Sequence, residues 1–194
     1  MSDLYDIRQE LFKNYFEKGL PYSEYIKTGD PGHQKRWEDM SSRIALSESH
    51  TSVIETFVRK LHVLVISGTW CGDCVRQCPM IAAIGEAAST VDVRFLDNQE
   101  NKELSDELRV HGASRVPVAL FLSEDFFEVA RFGDRTLSHY RRKAVRETGV
   151  ACDAGLLPPE GAELNEELSE WLAQFERAQL LLRTSGLLRS RYGD

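Results

Sequence analysis

The chain has 194 residues, 42% of them hydrophobic and 28% charged, with a formal net charge of −7. That size suits one compact domain with extensions, and the composition excludes a disordered, collagen-like or coiled-coil chain. The negative charge disfavours nucleic acid or an anionic membrane face as partner. No apolar run approaches spanning length, and Met1 to Asp6 carries acids where a secretory signal would place basic and then apolar residues, so a cytosolic protein is expected.

In chain order, Leu4, Ile7, Leu11 and Tyr15 fall at helical spacing, and Gly19 with Pro21 stops that helix. Thr28 to Gly32 is a turn cluster, followed by a polar helical segment around Trp37, Met40, Ile44 and Leu46. A short helix is predicted over residues 52–60, with Val53, Ile54, Phe57 and Val58 as its buried stripe. The β-branched run from Leu61 to Ile66 reads as a strand covered on both faces, ending at Ser67 and Gly68. A helix follows over about 71–88, with Pro79 kinking it. Strands are predicted over 91–96, 118–122 and 127–132, with helices over 101–110 and 136–147. Residues 152–159 read as a connector, and Leu164, Leu168, Trp171, Phe175 and Leu182 form a stripe that must bury against the core or a partner chain. This divides the chain into a helical extension packed on the core (1–52), the core (53–150), and a connector with a C-terminal amphipathic helix (151–194).

Four cysteines are too few for a disulfide scaffold, and Cys71, Cys74 and Cys78 crowd into one stretch, which points to redox or metal chemistry. A strand ending just before Cys-x-x-Cys, with the first cysteine opening a helix, places Cys71 against unpaired N–H groups and the positive helix end. Such a position typically lowers a cysteine pKa from ~8.5 toward ~3.5 to 7.5. Cys71 is then the nucleophile. Cys74, one turn deeper, is the resolving cysteine, and two intervening residues let the pair close a reversible disulfide. Cys78, four residues beyond, is a candidate third thiol, or the third ligand of a metal or iron-sulfur site, but its place on an apolar stripe favours a core role. The histidines His33, His50, His62, His111 and His139 show no metal-ligand spacing, and His62 on a strand reads as a hydrogen-bonded structural residue. Arg141, Arg142 and Lys143, with Arg131, Arg135 and Arg146, make a local basic patch that reads as a solvated helix face.

Trp70-Cys71-Gly72-Asp73-Cys74, the later Val116-Pro117, Phe132-Gly133, and Pro79 eight residues after Cys71 together resemble the thioredoxin superfamily over about residues 53–147. Within it the chain is most similar to a bacterial thioredoxin-like branch with the Trp-Cys-Gly-Asp-Cys motif and helical extensions at both ends. The resemblance implies a three-layer α/β/α fold with a central mixed sheet of four strands, or five, and added helices at both ends. It implies a cis-proline at Pro117 facing the dithiol, and a substrate strand bound by the backbone of Val116. Trp70, Gly72 and Asp73 would tune the site, no cofactor or metal would be needed, and an external reductase would restore the dithiol after each disulfide of a protein or small molecule is reduced. A homodimer through the terminal helices is a further expectation.

The chain departs from that family in three places. Asp73 stands where thioredoxins carry proline, and its charge is expected to raise the Cys71 pKa. Val65 stands where they hold a buried aspartate, and Val93 where they hold the lysine paired with it. The alternatives to an oxidoreductase are a metal or iron-sulfur module using Cys71, Cys74 and Cys78, and a redox-inert adaptor of the same fold.

Overall fold

The computed structural model describes residues 5–148 and 161–193. Among the described residues four α-helices and a 3-10 helix (Ile26–Thr28) precede the sheet, the α-helices being α1 (Gln9–Lys18), α2 (Tyr22–Tyr25), α3 (Pro31–Ser41) and α4 (Glu48–Ile54). Then come β1 (Leu61–Ser67), α5 (Gly72–Ala87), β2 (Val91–Asp97), α6 (Lys102–Glu107), β3 (Val118–Leu122), β4 (Glu128–Gly133), α7 (Leu137–Thr148), α8 (Glu163–Thr184) and α9 (Gly186–Tyr192). The strand order is β2-β1-β3-β4, with β1 parallel to β2 and antiparallel to β3, and β4 antiparallel to β3. The expected mixed four-stranded sheet with flanking helices is therefore present. Where a fifth strand would lie, one bridge joins Leu20 to Phe95 through paired N–H to O=C bonds of 2.9 and 2.8 Å.

Both faces of the sheet are covered, which is why all of β1 is buried. On one face α5 lies so close to β2 that a Cβ at Gly85 would meet Val93 Cγ2 at 2.3 Å, and Phe175 of α8 packs edge-on to Phe121 of β3. On the other, Phe16 of α1 meets the ring of His62 at 4.7 Å. The α8 stripe of Leu168, Trp171, Phe175 and Leu182 is fully used against this core, so its burial requires no second copy of the chain. Arg76 of α5 forks onto Glu167 of α8 at 2.9 to 3.1 Å, and Trp171 Nε1 donates to Gln77 Oε1 at 3.2 Å. These bonds add direction to the apolar docking of α8.

Three expectations are corrected. The helix predicted over 52–60 lies at Glu48–Ile54, because Ser47 and His50 form a reciprocal cap at its start; Phe57 is buried beyond its end while Val58 is 49% exposed. The first helix begins at Gln9 because the Asp6 carboxylate accepts from the Arg8 N–H and holds that stretch in a turn. Its buried face is Phe12, Tyr15 and Phe16, and Ile7 stays exposed. His62 is held by rings rather than by hydrogen bonding at Nδ1, which has no partner among the described residues: it stacks on Phe126 at 4.4 Å. The connector at 152–159 lies outside the described residues. Among the described residues, no helix is long and apolar enough to cross a membrane.

Candidate functional site

Strand β1 delivers the chain to Gly68, Thr69 and Trp70, and Cys71 takes the N-cap of α5 with extended backbone. The N-terminal extension holds this loop from outside the sheet. The buried Trp37 indole N–H donates to the Thr69 carbonyl at 2.8 Å, and Arg36 Nη2 donates to the Trp70 carbonyl at 3.4 Å. The Trp70 ring folds back over Gly68, where a Cβ would meet it at 2.7 Å, yet remains 46% exposed. An apolar surface is thus presented beside the half-buried Cys71.

The Cys71 thiol points at the Val116 carbonyl, 3.8 Å away, and the Val116–Pro117 peptide bond is cis. Gly133 closes the far side of this loop: a Cβ there would lie 2.5 Å from the Pro117 carbonyl, so only glycine fits. Cys71, Val116, Pro117 and Gly133, distant in sequence, form one lip. Behind it Cys74 is wholly enclosed. Ser67 and Cys78, equally enclosed, face each other with Oγ and Sγ 3.4 Å apart. Tyr25 completes this buried polar pocket; its hydroxyl lies near Ser67 without forming a well-shaped hydrogen bond. Val65 is buried in register with Phe95 and Ala119, so that point of the sheet is apolar.

The electrostatics correct the expectation of a depressed Cys71 thiol. The adjoining Cys74 thiol, partial burial and the charge Cys74 would carry push Cys71 up, while the N–H groups of Cys74 and Asp73 pull it the other way. Burial pushes Cys74 well up. The coupling is one-sided: Cys74 opposes ionisation of Cys71, whereas the Cys71 thiol favours charge on Cys74, and the pair titrates as a unit. Asp73, whose charge is expected to raise the Cys71 pKa, is itself paired. Arg135 Nη2 binds its carboxylate at 2.5 Å and His139 Nε2 lies 3.8 Å away. Arg135 is itself fixed by Asp134 at 3.1 Å, which also accepts from Arg115 at 3.0 Å and from the Tyr140 hydroxyl. Burial would raise the Asp134 carboxyl, but these donors outweigh it and hold it below the usual range.

Gly72 is the first residue of α5, with open space where a Cβ would be. Cys78, expected as a core residue or a third thiol, is wholly buried one turn beyond Cys74. Among the described residues no three His, Cys, Asp or Glu are grouped to hold a metal ion. Cys152 lies outside the described residues.

The sequence did not point to Ser67, Trp37, Asp134 or Arg135 as site residues. Ser67 alone carried a signal, as the polar end of an otherwise apolar strand. The other three are brought in by tertiary contacts across 32 to 62 positions.

Comparison with known proteins follows the same lines. No curated protein matches the chain. A crystal structure of a protein of unknown function from Pseudomonas aeruginosa superposes with a TM-score of 0.67 and 14% identity, covering 89% of this chain and 96% of its own. An HIV epitope-scaffold superposes with a TM-score of 0.61 and 16% identity, covering 90% of this chain and 99% of its own. Both likenesses extend over the terminal helices as well as the sheet, and at such identity they speak to fold alone. A family model described as thioredoxin matches residues 19–140, a span that runs from the Leu20 bridge to the first turns of α7 and takes in the whole lip and both cysteines. The chain belongs to the thioredoxin family.

Proposed function

We propose that this chain is a thiol-disulfide oxidoreductase working as a reductase in a reducing compartment such as the cytosol. The observation that carries the reading is the half-exposed Cys71 thiol at the N-cap of α5, 3.8 Å from the Val116 carbonyl, with Cys74 sealed behind it. Cys71 loses its proton and its thiolate attacks one sulfur of a substrate disulfide. The other substrate sulfur leaves as a thiolate and takes up a proton. The N–H groups of Asp73 and Cys74 favour charge on the Cys71 sulfur, and the Val116 backbone offers the edge on which a substrate strand pairs. Cys74 then attacks Cys71 Sγ, the second substrate thiol departs, and the chain retains the Cys71–Cys74 disulfide until an external dithiol reductase returns two electrons. The N-terminal extension belongs functionally with the core, since Trp37 anchors the loop that carries Cys71. The likeness to the bacterial Trp-Cys-Gly-Asp-Cys branch is part of the same proposal.

The test is covalent trapping. With Cys74→Ser, mixed disulfides should accumulate on Cys71 in cell extract, and Cys71→Ser should abolish both trapping and dithiothreitol-coupled reduction of insulin. Unchanged insulin reduction by Cys71→Ser would leave the proposal without support.

A further inference from the structure

Beside the dithiol helix lies an open cleft of about 500 Å³ whose walls include Arg43, Arg76, His139, Arg142, Lys143 and Arg146. Three distant pieces of chain build it: the turn after α3, the second turn of α5, and α7 with the start of α8. We propose that this cleft docks acidic side chains of a polypeptide substrate and so selects disulfides flanked by Asp or Glu. The inference rests on the oxidoreductase reading above and names the substrate class of that site.

The charge balance of the cleft is the first argument. Arg76 and Arg142 both converge on the single buried carboxylate of Glu167, and Lys143 and Arg146 share Glu147 at 3.9 and 3.2 Å. Glu163 stands at the rim. Asp73, Glu166 and Glu170 also act on Arg76 and Arg142, so the inner cations are balanced and the excess positive charge of the cleft lies at Arg43, Lys143 and Arg146, on a chain whose net charge is −7. Unfilled bonding capacity is the second argument. Arg142 Nη1 and His139 Nδ1 are enclosed and have no hydrogen-bond partner among the described residues. An enclosed guanidinium N–H without an acceptor is costly, so a carboxylate that parts the cleft wall to reach it gains a charge-assisted bond.

Reach is the third. His139 touches Asp73 of the dithiol motif at 3.8 Å, and Arg76 lies five residues beyond Cys71, roughly 7 to 8 Å along the helix axis. An extended substrate advances about 3.3 Å per residue, so the acidic residues belong two to four positions from the cysteine under attack. The exposed Trp70 ring offers apolar contact over the intervening stretch.

The experiment uses matched disulfide-linked peptides carrying Glu or Gln at the second to fourth positions from the cysteine. At low ionic strength kcat/KM should favour the Glu peptide about tenfold, the product of two or three partly exposed contacts, and the preference should fade toward unity near 1 M salt. The triple variant Arg43→Gln, Lys143→Gln, Arg146→Gln leaves the Arg76–Glu167–Arg142 knot intact; it should lose the preference while reducing the Gln peptide at the parent rate. Equal kcat/KM for the two peptides, or a preference that survives in the triple variant, overturns the inference. Fluorescence anisotropy with serine in place of the peptide cysteine separates the two claims. Tighter binding of the Glu peptide without reduction of either would sink the oxidoreductase reading and keep the cleft, and equal binding would sink the cleft.

Discussion

Replacing Asp73 with Asn should lower the Cys71 pKa by about one unit. The Asp73 carboxylate is held by Arg135 Nη2 at 2.5 Å, and Arg135 also binds Asp134 at 3.1 Å, so the guanidinium stays in place when the carboxylate is lost. The substitution removes one negative charge roughly 7 Å from the Cys71 sulfur, a separation set by a two-residue offset in the first helical turn. At an effective dielectric of ~20 this is about 2.4 kcal/mol, or roughly 1.7 pKa units, and the partial exposure of Asp73 with ordinary salt brings it to about one unit. The assay is the pH dependence of Cys71 alkylation in a Cys74→Ser background, which removes the coupling between the thiols. Arg135→Gln alone should raise the pKa by a similar amount, and the double variant should return close to the starting value, because the two charges offset each other in the parent. An equal or higher Cys71 pKa in Asp73→Asn refutes the reasoning, as does a double variant that keeps the full shift of either single one.

Burial, with Lys60 next in weight, pushes the His62 pKa down to about 4, against ~6.5 in the unfolded chain. The folded state binds fewer protons, so this stability is complete above pH ~6.5 and is lost as pH falls toward 4, about 3 kcal/mol in all. Denaturant midpoints of the parent and His62→Gln at pH 7 and 4.5 check it; an equal loss in both proteins would show that His62 is not the titrating group. Glu167→Gln leaves Arg76 and Arg142 facing each other without their carboxylate and should cost about 3 to 5 kcal/mol, a Tm drop of order 10 °C for a chain of this size. An unchanged melting curve contradicts this. Gly133→Ala places a methyl 2.5 Å from the Pro117 carbonyl and must displace the lip facing Cys71. Disulfide reduction should fall at least tenfold in kcat/KM with the circular dichroism spectrum retained, and parent-like turnover would rule the displacement out.

Much of the fold was readable because its signals are local. The β1 run is apolar except at His62 and its last residue, Ser67, β3 falls at Val118–Leu122 as predicted, and the α8 stripe repeats at helical spacing. Boundaries were less readable where a single side chain decides them: Asp6 delays α1, and the Ser47–His50 cap draws α4 several residues toward the N-terminus. The dithiol was visible because its chemistry lies in four consecutive residues, and strand, turn and helix follow from the same short stretch.

What the sequence by itself determined is therefore the pair Cys71 and Cys74 at the mouth of a helix, and the order of strands and helices behind it, since both rest on spacing and periodicity; that the sheet is mixed was implied only by the family resemblance. Only the tertiary structure decided how that pair is tuned. Arg135 lies 62 residues from the carboxylate it neutralises, Trp37 lies 32 residues from the carbonyl it anchors, and Arg43 and Arg76 join Arg142 in one cleft from separate segments. Charge interactions act through space and weaken with distance and dielectric, so their sign at Cys71 depends on which side chains folding brings within a few ångströms, and no local pattern along the chain encodes that.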